Sequence, residues 1–418
     1  MASTYDVLVL GAGVVGVSTA IHLQKLGKRV ALVDRRGPGE ETSYGNSGAI
    51  ESSSVLPYAF PKLTQLFDIA MDRDSSARTD FRYFAQVLPF VARLRRETTP
   101  ARREAGARLL RPLLERVVAE HKEFLGPAGG MKYLREHGWI RLFKTQAAYD
   151  ADALTRTLAK EFRIDFETLT PQDMTALEPH LKPAYARAMW MKNTATVTSP
   201  GNVTKSYADL FTREGGTFQR ADAMSLRQAP DGAWTVTTEG GEASAPEVVV
   251  ALGPWSMDVL RPLGYRFPLG IKRGYHQHFK AEGNATLTRA VVDGSAGFVI
   301  APMDQGYRIT TGAEFTDRDA PPNPIQIQRV LPRARELFAL GEPVESPHER
   351  EPWMGRRPCF PDSLPIVDRA FNHKGLWLNF GHGHLGFTLG PVTGHLLAQM
   401  MTGEAPLCDA APYRATRF

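Results

Sequence analysis

Hydrophobic and polar positions follow two different periods along this chain, and both appear within the first 34 residues. Val7-Leu8-Val9-Leu10 is an unbroken apolar run, the pattern of a strand buried on both faces. Gly11-Ala12-Gly13-Val14-Val15-Gly16 follows without a gap. Apolar residues then recur at helical spacing (Val14, Val15, Val17, Ala20, Leu23, Leu26) and stop at Gly27. A second run, Val30-Ala31-Leu32-Val33, ends at Asp34. The pattern predicts strand, glycine turn, helix and parallel strand. A loop rich in Gly, Ser and Thr follows over 35–54.

Farther on, apolar positions at helical spacing predict two amphipathic helices over 81–124. Strands are expected near 132–143, a helix near 151–162 and another over 201–215. Residues 216–251 read as short antiparallel strands with turns at Asp231-Gly232 and Gly240-Gly241. Further strands are predicted at 274–279 and 297–313, a helix over 325–340, a Pro-rich passage over 343–365 and a last helix over 390–401. No repeat or low-complexity tract interrupts this order. It predicts an α/β fold with α+β insertions: a Rossmann-like nucleotide domain interleaved with a domain built on an antiparallel sheet with helices.

The glycines of the first turn carry chemistry. Gly11 permits the tight turn, Gly13 lets backbone approach a pyrophosphate, and Gly16 lets the helix settle on the strand. The first amides of the helix, with Val14 and Val15, then face the phosphates with the positive end of the helix dipole. Asp34 falls about 20 residues past the turn, where a carboxylate accepts hydrogen bonds from an adenosine ribose. In this context the glycines predict a dinucleotide site.

Composition narrows the remaining classes. The chain has 418 residues with 43% hydrophobic content, enough for two joined domains with filled cores. Two cysteines, Cys359 and Cys408, make no disulfide framework and point to a reducing, cytoplasmic setting. No run approaches the roughly 20 apolar residues that span a bilayer. Net charge is only +5, yet Arg82, Arg93, Arg95, Arg96, Arg102, Arg103, Arg108, Arg111 and Arg116 crowd one segment. That segment, 82–116, reads either as helices with solvated basic faces or as a surface that docks on anionic lipid or an acidic electron carrier, the latter placing the protein on the inner face of the cell membrane. No nucleic-acid module accompanies the charge, so a nucleic-acid partner is not expected.

Later features choose between nicotinamide and flavin. Glu247-Val248-Val249-Val250-Ala251-Leu252-Gly253-Pro254-Trp255 is a buried-type strand running into a glycine, and Gly381-His382-Gly383-His384-Leu385-Gly386-Phe387-Thr388-Leu389-Gly390 opens the last helix. A glycine-rich helix start presents free amides suited to the carbonyl oxygens and reduced-state charge of a flavin.

At these residues the chain resembles the FAD-dependent amine and D-amino-acid oxidoreductases, which include glycine oxidase, D-amino-acid dehydrogenase and sarcosine oxidase. Three segments carry the resemblance. They are the fingerprint with Asp34; the loop Glu41-Thr42-Ser43-Tyr44-Gly45-Asn46-Ser47-Gly48 with Pro57-Tyr58-Ala59-Phe60-Pro61; and Gly355-Arg356-Arg357-Pro358 with Pro361-Asp362 and Pro365-Ile366-Val367, running on to Gly390. Leu142-Phe143-Lys144-Thr145-Gln146 is most similar to the D-amino-acid dehydrogenase branch. The resemblance implies that Gly11, Gly13, Val14, Val15, Gly16, Asp34, Arg35, Ser43, Asn46, Ser47 and Gly48 hold FAD. It further implies that Ala223, inside a short strand, touches the adenine; that Gly253 and Trp255 close the phosphate side; and that His384, Leu385, Gly386, Phe387 and Thr388 surround the flavin pyrimidine. It implies FAD-binding segments 1–60, 195–260 and 350–418, with substrate-binding segments 61–194 and 261–349.

The same resemblance makes Arg357 the grip on a substrate carboxylate, a task suited to a guanidinium that forms two parallel charged hydrogen bonds. Arg356 is adjacent and, on an extended segment, points to the opposite side. Tyr275 is a candidate pocket hydroxyl. His276 is read either as a pocket residue or as a packed or surface histidine. His276 with His278, and His382 with His384, raise a metal, but no third ligand with suitable spacing accompanies either pair, so none is expected. Where glycine oxidase has a tyrosine this chain carries Phe298, which favours an apolar or cyclic substrate. Cys359 lies too close to Pro361-Asp362 for the covalent flavin link of sarcosine oxidases, so a non-covalent FAD is expected.

The activity implied is oxidative deamination of a D-amino acid: hydride from Cα to flavin N5, the imino acid hydrolysed to a 2-oxo acid and ammonia, electrons passed to a quinone or other carrier. Alternatives are an oxygen-using glycine, sarcosine or secondary-amine oxidase, and a flavoprotein electron-relay subunit of a hetero-oligomer.

Overall fold

The computed structural model describes residues 3–53, 56, 60, 61, 63–345 and 352–418. Ser54 and the segment Pro57-Tyr58-Ala59 lie outside the described residues. A six-stranded sheet runs in the order Thr217–Arg220, Val30–Asp34, Val7–Leu10, Glu247–Val250, Leu376–Phe380, Ile366–Arg369. Its first five strands are parallel and the last is antiparallel. Val7 and Val9 face the helices Val14–Lys25, Pro200–Arg213 and Gly386–Thr402. Leu8 and Leu10 face a small sheet that includes Trp234–Thr238 and Gly241–Ala245. Both faces are covered, which is why the strand reads as an unbroken apolar run.

A second sheet holds eleven strands among the described residues. Its centre is the long strand Gly270–Ala281, paired antiparallel with Gly306–Thr311 and with Trp353–Cys359. The helix Ile325–Leu337 buries Ile327, Val330 and Ala334 against one face, beside Tyr275, Phe279 and Ile309. Lys272 and Gly274, two residues apart on that strand, border a cavity between the two sheets. Among the described residues, no helix is long and apolar enough to cross a membrane.

Four expectations need correction. Thr217–Arg220 and Glu247–Val250 are parallel members of the nucleotide sheet, not parts of an antiparallel meander. Ala223 sits in the 3-10 turn Ala223–Ser225 rather than in a strand; the Asp222 carboxylate accepts a hydrogen bond from the Met224 amide and holds the chain in that turn. The Arg-rich region forms three main helices, Phe84–Glu97, Pro100–Leu114 and Val117–Leu125. Pro100 starts a new helix where its missing N–H costs nothing. The Pro-rich passage contains the strand Trp353–Cys359, so this part of segment 350–418 belongs to the large sheet. Pro358 is tolerated because, among the described residues, the strand has a ladder only with Gly270–Ala281 and otherwise only the single bridge from Cys359 to His382.

Candidate functional site

The cavity has a volume of about 820 Å³, near the upper end of ligand pockets. One wall is the glycine turn. Gly11 has φ +106°, and a Cβ there would strike the backbone of Ala251 on the adjacent strand. A Cβ on Gly16 would drive into the Gly11 carbonyl oxygen, so the helix sits directly on the turn. Gly13 opens onto the cavity, with only the Ser43 hydroxyl near a Cβ built on it. Ser43 Oγ accepts a hydrogen bond from the Val14 amide at 3.0 Å. At the end of its strand, the Asp34 carboxylate accepts from the amides of Ala12 (2.7 Å) and Arg36 (2.9 Å), which fixes it at the rim.

Arg35 stacks its guanidinium over Trp255 at 4.7 Å, and Trp255 belongs to the 3-10 turn Gly253–Trp255 that follows the parallel strand. The loop with Asn46 and Ser47 is held by Arg308, which donates to the carbonyls of Tyr44 and Asn46. Gly48, at φ +78°, packs against the Val197 carbonyl, and Ala49 and Glu51 beyond it border the cavity again. On the far side, the 3-10 turn Gly383–Leu385 leads into the helix Gly386–Thr402, whose N-terminus has no side-chain cap. His384, Leu385, Gly386, Phe387 and Thr388 border the cavity there, and Thr388 Oγ1 donates to the Ala49 carbonyl at 2.9 Å. Burial holds the imidazoles of His382 and His384 at a pKa of about 3, so both are neutral at physiological pH.

Of the residues expected at the site, Gly11, Gly13, Val14, Val15, Asp34, Arg35, Ser43, Asn46, Ser47, Ala223, Gly253, Trp255, Tyr275, Arg357 and 384–388 border this cavity. Gly16, Gly48 and His276 do not. His276 is buried with its ring stacked on Trp353 at 4.9 Å, and Trp353 itself faces the cavity. Tyr275 is not a free pocket hydroxyl. Its oxygen accepts from Arg273 (2.7 Å) and from the Asn323 amide (2.8 Å) and donates to Glu314 (2.7 Å), within the core on the helix side of the sheet. Burial pushes this phenol up to about 12.

Arg357 and Arg356 diverge. Arg357 lies over Gly274, where any Cβ would collide with its guanidinium, and donates to the carbonyls of Gly312 (2.6 Å) and Thr311 (3.0 Å). Arg356 donates to the Arg318 carbonyl and meets Asp319 at 3.8 Å. Sequence reasoning missed Lys272, directly across the strand pair from Arg357. Lys272 is buried, borders the cavity, and has its pKa lowered by burial and by the Arg357 charge. Asn379 Oδ1 and Thr310 Oγ1, in the same walls, are buried with no hydrogen-bond partner among the described residues. Neither had a signal in the sequence beyond a polar residue in an apolar strand.

The donor set suits a dinucleotide with a planar polar ring. A helix start faces each end, that of Gly386–Thr402 without a side-chain cap; two buried oxygens lack donors, a carboxylate is fixed at the rim, and a glycine turn admits backbone alone. Cys359 is buried and does not border the cavity.

Comparison with known proteins agrees. The chain is 31% identical over 418 residues to the D-amino-acid oxidase of Bradyrhizobium diazoefficiens, covering 99% of this chain and 98% of that protein. It is 29% identical to the D-amino acid dehydrogenase of Dechloromonas aromatica, covering 96% and 97%. The crystal structure of glycine oxidase from Geobacillus kaustophilus superimposes with a TM-score of 0.75 at 22% identity, over 100% of this chain and 99% of that one, which shows the shared fold. Residues 6–400 match the FAD dependent oxidoreductase (DAO) family, and the protein is a member of that family of flavoenzymes.

Proposed function

We propose that the protein oxidatively deaminates a D-amino acid at the expense of a carrier other than oxygen. The observation that carries this reading is Arg357, whose guanidinium is held in the cavity by two backbone carbonyls with Lys272 opposite. A guanidinium on the cavity wall calls for an anionic ligand, and its fork-shaped donor fits a carboxylate. FAD, when bound, supplies the two-electron acceptor for the substrate Cα–H bond. Arg357 holds the substrate carboxylate, Lys272 adds charge to it, and Phe298 and Trp353 keep water off the reacting carbon. The neutral amine drives the oxidation, so no strong base is required of the wall. The imino acid is then hydrolysed to a 2-oxo acid and ammonia. The names of the two full-length relatives support an amino-acid substrate and divide on the acceptor.

That division favours a second reading in which oxygen is the acceptor, as for an amino-acid or secondary-amine oxidase. Support for a carrier comes from Phe81, Phe84 and Leu88, which are exposed at the start of the helix Phe84–Glu97, with Arg95 two turns past Leu88 on the same side. Such a face fits a membrane surface bearing quinone. Pairing tempers its charge: Arg82, Arg96, Arg102, Arg108 and Arg111 each meet an acid. A dye-coupled screen of paired D- and L-amino acids, with 2-oxo acid measured as product, tests the reading. Turnover confined to L-isomers or to secondary amines overturns it.

A further inference from the structure

Away from the cavity, three helices bring together a set of side chains that the proposed reaction does not use. His22 lies on Val14–Lys25, Glu120 on Val117–Leu125 and His395 on Gly386–Thr402. None of the three borders the cavity. One nitrogen or carboxylate oxygen from each lies within 4.8 Å of the others. His395 Nδ1 is 2.9 Å from Glu120 Oε1, and His22 Nε2 is 3.5 Å from Glu120 Oε2. The two imidazoles lie face to face at 4.5 Å.

A second observation points to a ligand. His22 is 4% exposed and Glu120 7%, yet the 3.5 Å contact between His22 Nε2 and Glu120 Oε2 lacks hydrogen-bond geometry, and neither atom has another hydrogen-bond partner among the described residues. Burying polar atoms without partners is costly, and a divalent cation between them satisfies both at once. Tetrahedral zinc with nitrogen and oxygen ligands at roughly 2.0–2.1 Å sets neighbouring ligand atoms about 3.3 Å apart. The two histidine contacts, 2.9 Å to Glu120 Oε1 and 3.5 Å to Glu120 Oε2, lie either side of that separation, each at a different carboxylate oxygen. The His395 side chain is 31% exposed, which leaves an approach from solvent and room for a water as fourth ligand. Two imidazoles and one carboxylate select zinc or a neighbouring first-row ion over magnesium or calcium, which prefer all-oxygen sites.

We propose that His22, Glu120 and His395 form a binding site for one zinc-class divalent cation that clamps the C-terminal helix to the two helices beside it. The clamp adjoins the flavin cavity without entering it: His121, next to Glu120, hydrogen-bonds the Phe387 carbonyl at 2.9 Å, in the first turn of the C-terminal helix.

The test is titration of untagged, chelator-stripped, FAD-loaded protein with Zn²⁺ against a competing chromophoric chelator. One equivalent binding at micromolar Kd or tighter is expected, with a rise in melting temperature. Glu120→Gln and His395→Ala should each weaken binding at least 10-fold while keeping the flavin spectrum. X-ray absorption at the zinc edge on the wild-type protein guards against a variant that fails to fold; the expected shell is nitrogen and oxygen only. No binding below about 100 μM, unchanged affinity in both variants, or sulfur in the shell would each overturn the site.

Discussion

Lys272 and Arg357 stand directly opposite one another in the antiparallel pairing of Gly270–Ala281 with Trp353–Cys359, and both border the flavin cavity. Like charges placed this way repel, and burial adds a desolvation cost to Lys272. The arrangement is therefore expected to gain most when an anion enters. Arg357 already spends donors on the Gly312 and Thr311 carbonyls, which aim the guanidinium plane.

Replacing Arg357 with Ala should leave the flavin spectrum nearly intact and lower kcat/KM for a carboxylate substrate by 10²-fold or more, since charged hydrogen bonds contribute roughly 1.5–3 kcal/mol each. Arg357→Lys should recover only part, because an ammonium lacks the fork. Lys272→Met should raise KM about 10-fold. Steady-state kinetics on the three variants check this; a silent Arg357→Ala with a damaging Arg356→Ala would invert the assignment.

Acid should destabilise the protein through His382. Its imidazole is buried at the edge of the cavity, hydrogen-bonded with Thr393 Oγ1 at 3.0 Å, and held neutral with a pKa of about 3. The unfolded chain takes up a proton near 6.5 and the folded chain does not, so stability falls as pH drops from about 6.5 toward 3. Such a group costs roughly 2 kcal/mol at pH 5. Melting temperatures measured from pH 8 to pH 5 should decline on the acid side, and His382→Gln should lessen that decline, while His384 and His121, also held down by burial at about 3 and about 4, keep the rest of it.

Gly394 marks the closest approach of the first and last helices. A Cβ there would sit 2.7 Å from the Thr19 amide nitrogen. Gly394→Ala should cost about 1–3 kcal/mol by forcing the helices apart. Denaturant unfolding measures it, and an unchanged midpoint would show that the contact yields freely.

Much of this was legible in the sequence where a pattern is local. The run Val7–Leu10, the glycine turn and the helix to Lys25 each carry their own signal, and the structure follows them within a residue or two. What was hidden depends on remote partners. Glu247–Val250 shows its burial in its apolar run, but only its pairing with Val7–Leu10 reveals it as parallel rather than part of the neighbouring antiparallel strands. Trp353–Cys359 contains two arginines and a proline, so no period of two betrays it. Lys272 reads as a solvated lysine until Trp353–Cys359 is laid beside it. The engagement of the Tyr275 hydroxyl was hidden for the same reason: which face of its strand meets the helix is set by Ile325–Leu337, far along the chain.

The exposed face around Phe84 and Leu88 carries its own prediction. Sedimentation with vesicles of anionic lipid should pull the enzyme down at low salt and release most of it near 1 M, where the Debye length falls to about 3 Å. Phe84→Ser with Leu88→Ser should reduce binding at all salts. Equal sedimentation of wild type and variant would rule out this face as a docking surface.

The most direct measurement is anaerobic mixing of the FAD-loaded enzyme with single D-amino acids in a stopped-flow instrument, followed by a second mix with air-saturated buffer or with a quinone. Loss of flavin absorbance near 450 nm with a D-isomer, its absence with the L-isomer, and recovery far faster with quinone than with oxygen are expected. Bleaching by L-isomers alone, or rapid recovery in air with stoichiometric peroxide, would contradict the proposed D-amino-acid dehydrogenase.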